Sequence, residues 1–191
     1  MVEEARTSET WPARLLAQFD EADRRAHALA NTLALEQLNW RPSPHEWSIG
    51  QCLQHLAAFN RLYVPAISRA LDGQSPSPVS EIEAGWISAW FMRNYVEAGP
   101  NTRRVRSPGK IKPAEQVAGS VLKDFLRTNQ DAKNLVRRAG AYDVNRIRYK
   151  NPLVPLVRFT VGVGLELTWK HQFRHVMQAE RIKQSRGFPA R

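Results

Sequence analysis

Cysteine is nearly absent from these 191 residues, Cys52 being the sole example. One thiol excludes an internal disulfide framework and any zinc site built from several thiolates. Long apolar runs are missing as well, with nothing approaching the roughly 18 residues a membrane-spanning helix needs. Acidic residues are in deficit, 18 Asp and Glu against 28 Lys and Arg, for a formal charge of +10. What remains is ordinary. At 42% hydrophobic and 24% charged residues, the chain reads as a folded globular protein rather than a disordered one. Its length fits a single domain over residues 1–191, with a core over about 11–185. The opening Met1–Trp11 is polar and acidic, unlike a signal or transit peptide, so a cytoplasmic location is expected.

The positive excess is uneven. Residues 1–100 carry 8 basic and 12 acidic side chains, residues 101–150 carry 13 and 4, and residues 151–191 carry 7 and 2. Such asymmetry suits nucleic acid, an anionic surface or an acidic ligand, and equally a solvated face.

Four long helical patterns follow one another. In the first, Trp11 to Leu38, apolar residues from Leu15 to Leu33 recur at three- and four-residue steps. It stops before Pro42 and Pro44. The second opens on Ser48-Ile49-Gly50-Gln51, the S-x-x-Q form of a capping box, and runs to about Leu71. Its seam is Cys52, His55, Phe59, Leu62 and Ala66. A shorter helix over Glu81–Ala98 carries Trp86, Trp90 and Phe91. The third long helix is expected from Pro113 to Ala139, because proline suits a first helical turn. The fourth is expected from Arg158–Val161 to about Ser185, with a seam of Leu165, Thr168, His171, His175, Gln178 and Ile182. No segment reads as a convincing strand. The fold class is therefore all-α, a four-helix bundle with a short extra helix between the second and third long ones.

Three of the five histidines stand out. His171 and His175 are spaced i, i+4, so they project from one helical face as two imidazoles must to share an ion. His55 lies on the seam of the second helix. Seams meet in a bundle core, so three neutral nitrogens are expected to converge there and suit a divalent transition metal. The bland alternative is a set of hydrogen-bonded core histidines. His27 and His45 read as surface or packing residues. A zinc protease needs Glu after the first His of H-x-x-x-H, and Gln172 stands there instead. Cys52, one turn before His55, reads as a fourth ligand, a reactive thiol or a small buried hydrophobe, the last being favoured.

The stretch Arg41-Pro42, Trp47-Ser48-Ile49 and His55-Leu56 resembles the first signature of the DinB/YfiT-like superfamily. The stretch His171, His175 and Gln178 resembles its H-x-x-x-H-x-x-Q signature. The resemblance covers roughly Leu15–Ile182. It implies up-down-down-up connectivity, a metal triad of His55, His171 and His175, and Gln178 in or near the pocket; Cys52 and Phe59, flanking His55 on its seam, are expected to line the same pocket. It implies nickel, zinc, iron or manganese as the ion. For some relatives it implies a thiol-dependent transferase or isomerase using a low-molecular-weight thiol such as mycothiol, bacillithiol or glutathione. Val176 stands where many relatives have Arg, and Arg174 is expected on another face.

Two functional classes follow. One is a metal-dependent enzyme acting on a small molecule or thiol. The other is a non-catalytic binder using the basic 101–150 segment for nucleic acid or another anionic partner, with Arg103, Arg104, Arg106, Lys110 and Lys112 as its densest run. Aromatic residues for base stacking are sparse there, only Phe125, Tyr142 and Tyr149. Trp86, Trp90 and Phe91 read as core cover or a dimer contact; the resemblance implies a homodimer, and no membrane partner is expected.

Overall fold

Ser48 and Gln51 set the start of the helix that organises the rest. In the computed structural model, which describes residues 10–97, 106–154 and 156–190, Ser48 Oγ accepts from the Gln51 amide at 3.1 Å. Gln51 Oε1 accepts from the Ser48 amide at 3.0 Å. Two of the amides that a helix start leaves unpaired are thus satisfied. The elements are α1 (Trp11–Ala30), α2 (Leu35–Asn39), α3 (Ile49–Ala70), α4 (Trp86–Phe91), α5 (Val121–Ala139), β1 (Arg148–Lys150), β2 (Arg158–Thr160) and α6 (Val161–Lys183).

Helices α1, α3, α5 and α6 form the four-helix bundle. Both α1 and α3 pack on α5 and α6, so α1 and α3 lie on one diagonal. Side-chain pairs fix the directions. Arg14 meets Glu166, Arg25 meets Glu180, and Lys183 bonds the Leu29 carbonyl, which makes α1 and α6 parallel. Asn129 bonds the Phe19 carbonyl and Pro12 abuts Gly140, so α5 runs against α1. Asn60 bonds Thr128 and Asp72 pairs with Arg138, so α3 runs with α5. The order is up-down-down-up.

Several boundaries differ from the sequence reading. The first helix stops at Ala30, and Leu35–Asn39 forms a separate short helix. Helix α5 begins at Val121, eight residues after Pro113. The extra helix is shorter than Glu81–Ala98: α4 ends at Phe91 and continues as a π-helical turn over Met92–Val96. There, Glu97 N–H bonds the Met92 carbonyl at 2.9 Å. Residues 98–105, including Arg103 and Arg104, lie outside the described residues. Strands are present: β1 and β2 pair antiparallel, with Tyr149 opposite Phe159. Asn151 Oδ1 accepts from the Leu153 and Val154 amides and shapes the turn after β1.

Gly162 and Gly164 sit in the first turns of α6 for close packing. A Cβ on Gly164 would lie 2.6 Å from the Tyr149 ring and 2.9 Å from Ile67. Ile67 is near the end of α3, so α6 starts where α3 finishes, and His171 and His175 are carried back toward the start of α3. No described helix is long and apolar enough to cross a membrane.

Candidate metal centre

The start of α3 is tied to the segment before α5. Gln51 Nε2 donates to the Ala114 carbonyl at 2.8 Å, and the Ala114 amide donates to Gln54 Oε1 at 2.7 Å. This clamp brings the Ile111 carbonyl to 2.7 Å from His55 Nδ1. A carbonyl only accepts, so His55 carries its proton on Nδ1 and turns an unprotonated Nε2 inward.

His171 and His175 face it from α6. The three ligand nitrogens lie within 4.8 Å of one another, and His55 Nε2 is 3.1 Å from His171 Nε2. His175 Nδ1 lies 2.9 Å from Gln178 Oε1, one turn further along α6. With that amide oxygen accepting, His175 also presents an unprotonated Nε2. Each of these rings therefore has one nitrogen held by an outer partner and the other directed at its neighbours. That is the arrangement of ligating histidines.

His171 is oriented differently. Its Nδ1 is buried without a hydrogen-bond partner, and the Phe59 ring stacks on it at 4.2 Å between centroids. Phe59 stacks in turn on Tyr63 at 3.9 Å. Packing holds this imidazole where hydrogen bonds hold the other two.

Burial pushes all three imidazoles toward the neutral form. His55 is lowered by burial, partly opposed by its bond to Ile111. His171 is lowered well below the usual histidine range by burial and then by the neighbouring His175 and His55. His175 is pushed down to about 3, first by burial and then by His55. Neutral imidazole is the ligating species, so the site is held in its metal-competent protonation state at neutral pH.

The other expected residues divide. Phe59 and Gln178 both touch the triad. Cys52 does not join the ligand group; it is buried among apolar side chains, which raises its thiol pKa. Gln172 is fully buried and donates to Asn60 Oδ1 at 3.2 Å, in a polar contact with α3. Glu166 is engaged by Arg14 and by Trp169 Nε1. His27 and His45 are exposed, and Val176 is a buried core residue. Arg174 is closer to the chemistry than its helical position suggests. Its guanidinium donates to the Tyr95 carbonyl at 2.9 Å, and its charge helps keep His171 and His175 unprotonated.

The sequence reading missed Trp47 as part of the site. Its ring lies 4.8 Å from His55 and stacks at 5.5 Å on His175. The residue before an N-cap folds back over its helix. The signal was its place just before the Ser48 cap, on the helix that carries His55.

The described part of the basic segment is partly committed to packing. Lys133 pairs with Asp20 and Asp23, and Arg138 pairs with Asp72.

Comparison with known proteins agrees with this architecture. A family model described as the DinB superfamily matches residues 18–179. The uncharacterized protein YuaE of Bacillus subtilis (strain 168) is 26% identical over 170 residues, spanning 87% of this chain and 95% of that protein. Among solved structures, YfiT from Bacillus subtilis aligns with a TM-score of 0.58 at 13% identity, covering 96% of this chain and 91% of YfiT. YfiT is described as a probable metal-dependent hydrolase with an unusual four-helix bundle topology. With the family model spanning most of the bundle, from within α1 to near the end of α6, the chain belongs to the DinB superfamily.

Proposed function

We propose that His55, His171 and His175 hold one divalent transition-metal ion, and that the chain is a metal-dependent enzyme acting on a small molecule. The observation that carries this reading is the convergence of three imidazole nitrogens within 4.8 Å, two of the rings having their outer nitrogen engaged. The donor set fits. Three neutral nitrogens without a carboxylate suit nickel, zinc or iron better than magnesium or calcium, and manganese least well of the four expected ions. When bound, such an ion supplies Lewis acidity toward water, a small thiol or a polarised carbonyl.

The chain's own residues do the positioning. Ile111 and Gln178 fix two imidazoles, and Phe59 fixes the third. Trp47 covers one side and limits water there. Cys52 is buried with a raised pKa, which makes it a poor nucleophile. The nucleophile is therefore supplied from solution. Water gives a hydrolase, the activity ascribed to YfiT, and a low-molecular-weight thiol gives S-transfer or isomerisation.

Metal analysis of untagged protein tests the reading, with a single equivalent per chain expected. A chain purified without metal that also takes up none of nickel, zinc, iron or manganese on dialysis would overturn it. Gln178→Ala should weaken metal affinity about ten- to hundredfold, the usual cost of losing a group that orients a ligand. Chelator competition measures it, and unchanged affinity would show that the His175 contact is incidental.

A further inference from the structure

The β1–β2 hairpin ends in an apolar tip with cationic shoulders. Leu156 is 98% exposed and Val154 51% exposed, with Val157 also exposed. Soluble chains seldom present aliphatic side chains so fully in a cluster. The strands behind the tip carry Arg148, Lys150 and Arg158, all exposed. No acidic residue occurs between Asp143 and Glu166. Glu81, Glu83 and Asp143 lie toward the hairpin's base, where the Glu83 amide donates to Asn145 Oδ1, Asn145 Nδ2 donates to the Glu81 carbonyl and the Asn145 amide donates to Asp143 Oδ1.

A second apolar projection stands beside it. Phe91 of α4 lies 5.8 Å from Phe159 of β2, so the two elements are packed together. On α4, Trp86 is 80% exposed and Trp90 52% exposed, and Arg93 just beyond is exposed. Tryptophan and aliphatic side chains that project from a surface flanked by Lys and Arg have the composition of a membrane-interface anchor. The apolar groups enter the headgroup boundary while the cations meet anionic lipid.

We infer that the hairpin tip and α4 form a docking surface for an anionic lipid bilayer. Charge complementarity selects this occupant over a second copy of the chain. A symmetric dimer through the hairpin would gather Arg148, Lys150 and Arg158 of both copies in one interface, with no carboxylate on the tip to answer them. A bilayer containing acidic headgroups supplies the missing charge and accepts Leu156 and Trp86 without a shaped pocket.

The test is co-sedimentation of the full chain with vesicles of phosphatidylcholine, alone or mixed with phosphatidylglycerol. Binding is expected only to the mixed vesicles, to weaken as salt is raised, and to fall about tenfold or more in Leu156→Asp. Tryptophan emission should shift to the blue on binding, because Trp86 and Trp90 are the exposed indoles. Three results would each overturn the inference. One is no binding to the mixed vesicles at low salt. Another is equal binding by Leu156→Asp and the parent, which would reduce the contact to bulk charge. The third is a dimer in solution that Leu156→Asp dissociates, without vesicle binding by the parent. Leu156 is almost wholly exposed, so its replacement leaves the core intact.

Discussion

His171→Ala is expected to lower metal affinity by about a hundredfold or more while leaving the bundle folded. Losing a group that merely orients a ligand costs about ten- to hundredfold, and this change removes a ligand. It also removes the ring on which Phe59 stacks. The remaining pair, His55 and His175, comes from two different helices and lacks the i, i+4 partner. The fold should survive because the layers above and below His171 are held by separate apolar clusters. The measurement is metal content after dialysis, together with the melting temperature with and without added ion. A ligand that binds only the folded state raises the melting temperature, and raises it more the tighter it binds. The parent should therefore be stabilised by the ion and the variant should not. His45→Ala, at an exposed position, is the control and should bind as the parent does. Full retention of metal by His171→Ala would remove this histidine from the site and with it the three-ligand reading.

That triad was legible in the sequence because helical spacing is a strong constraint. Two histidines four apart on an apolar seam must share a face, and a third on the seam of another long helix has few places to go but the same core. The Ser48–Gln51 cap was legible for the same reason: its partners are close along the chain. What escaped is what distant side chains decide. Residues 113–120 begin with a proline suited to a helix start, yet they stay irregular. Gln51 and Gln54 bond the Ala114 backbone, and Asn39 bonds both the amide and the carbonyl of Val117. These contacts satisfy the backbone groups a helix would otherwise pair, and local propensity loses to them. The three-residue strands β1 and β2 are too short to show an alternating pattern. They depend on Tyr149 and Phe159 reaching buried positions. Chain composition pointed to the charge excess, while the structure separates it into cations that pack, such as Lys133, and cations that project, such as Arg148 and Arg158.

Gly50→Ala is expected to destabilise the fold by about 2 kcal/mol, within the usual cost of overpacking, and to loosen the metal centre as well. A Cβ at this position would lie 2.3 Å from Val117 Cγ2 and 2.8 Å from the Leu38 carbonyl oxygen. The first obstacle is a side chain that has one strongly restricted torsion. The second is backbone, at the end of α2, and cannot turn aside. Relief therefore requires α2 or the segment 111–117 to move away from α3. That segment carries the Ile111 carbonyl that holds His55 Nδ1, so the displacement reaches a proposed ligand five residues further along α3. For a chain of this size about 2 kcal/mol corresponds to roughly 4–8 °C in melting temperature. Thermal unfolding of the metal-free protein measures the packing cost, and chelator competition measures the loss at the site. Adding Val117→Ala should recover part of the stability lost to Gly50→Ala, because it removes the closer contact and leaves the one to Leu38. The two changes would then be non-additive, as residues in direct contact are. Strict additivity would show that the close approach of α3 to Val117 is not what requires glycine here.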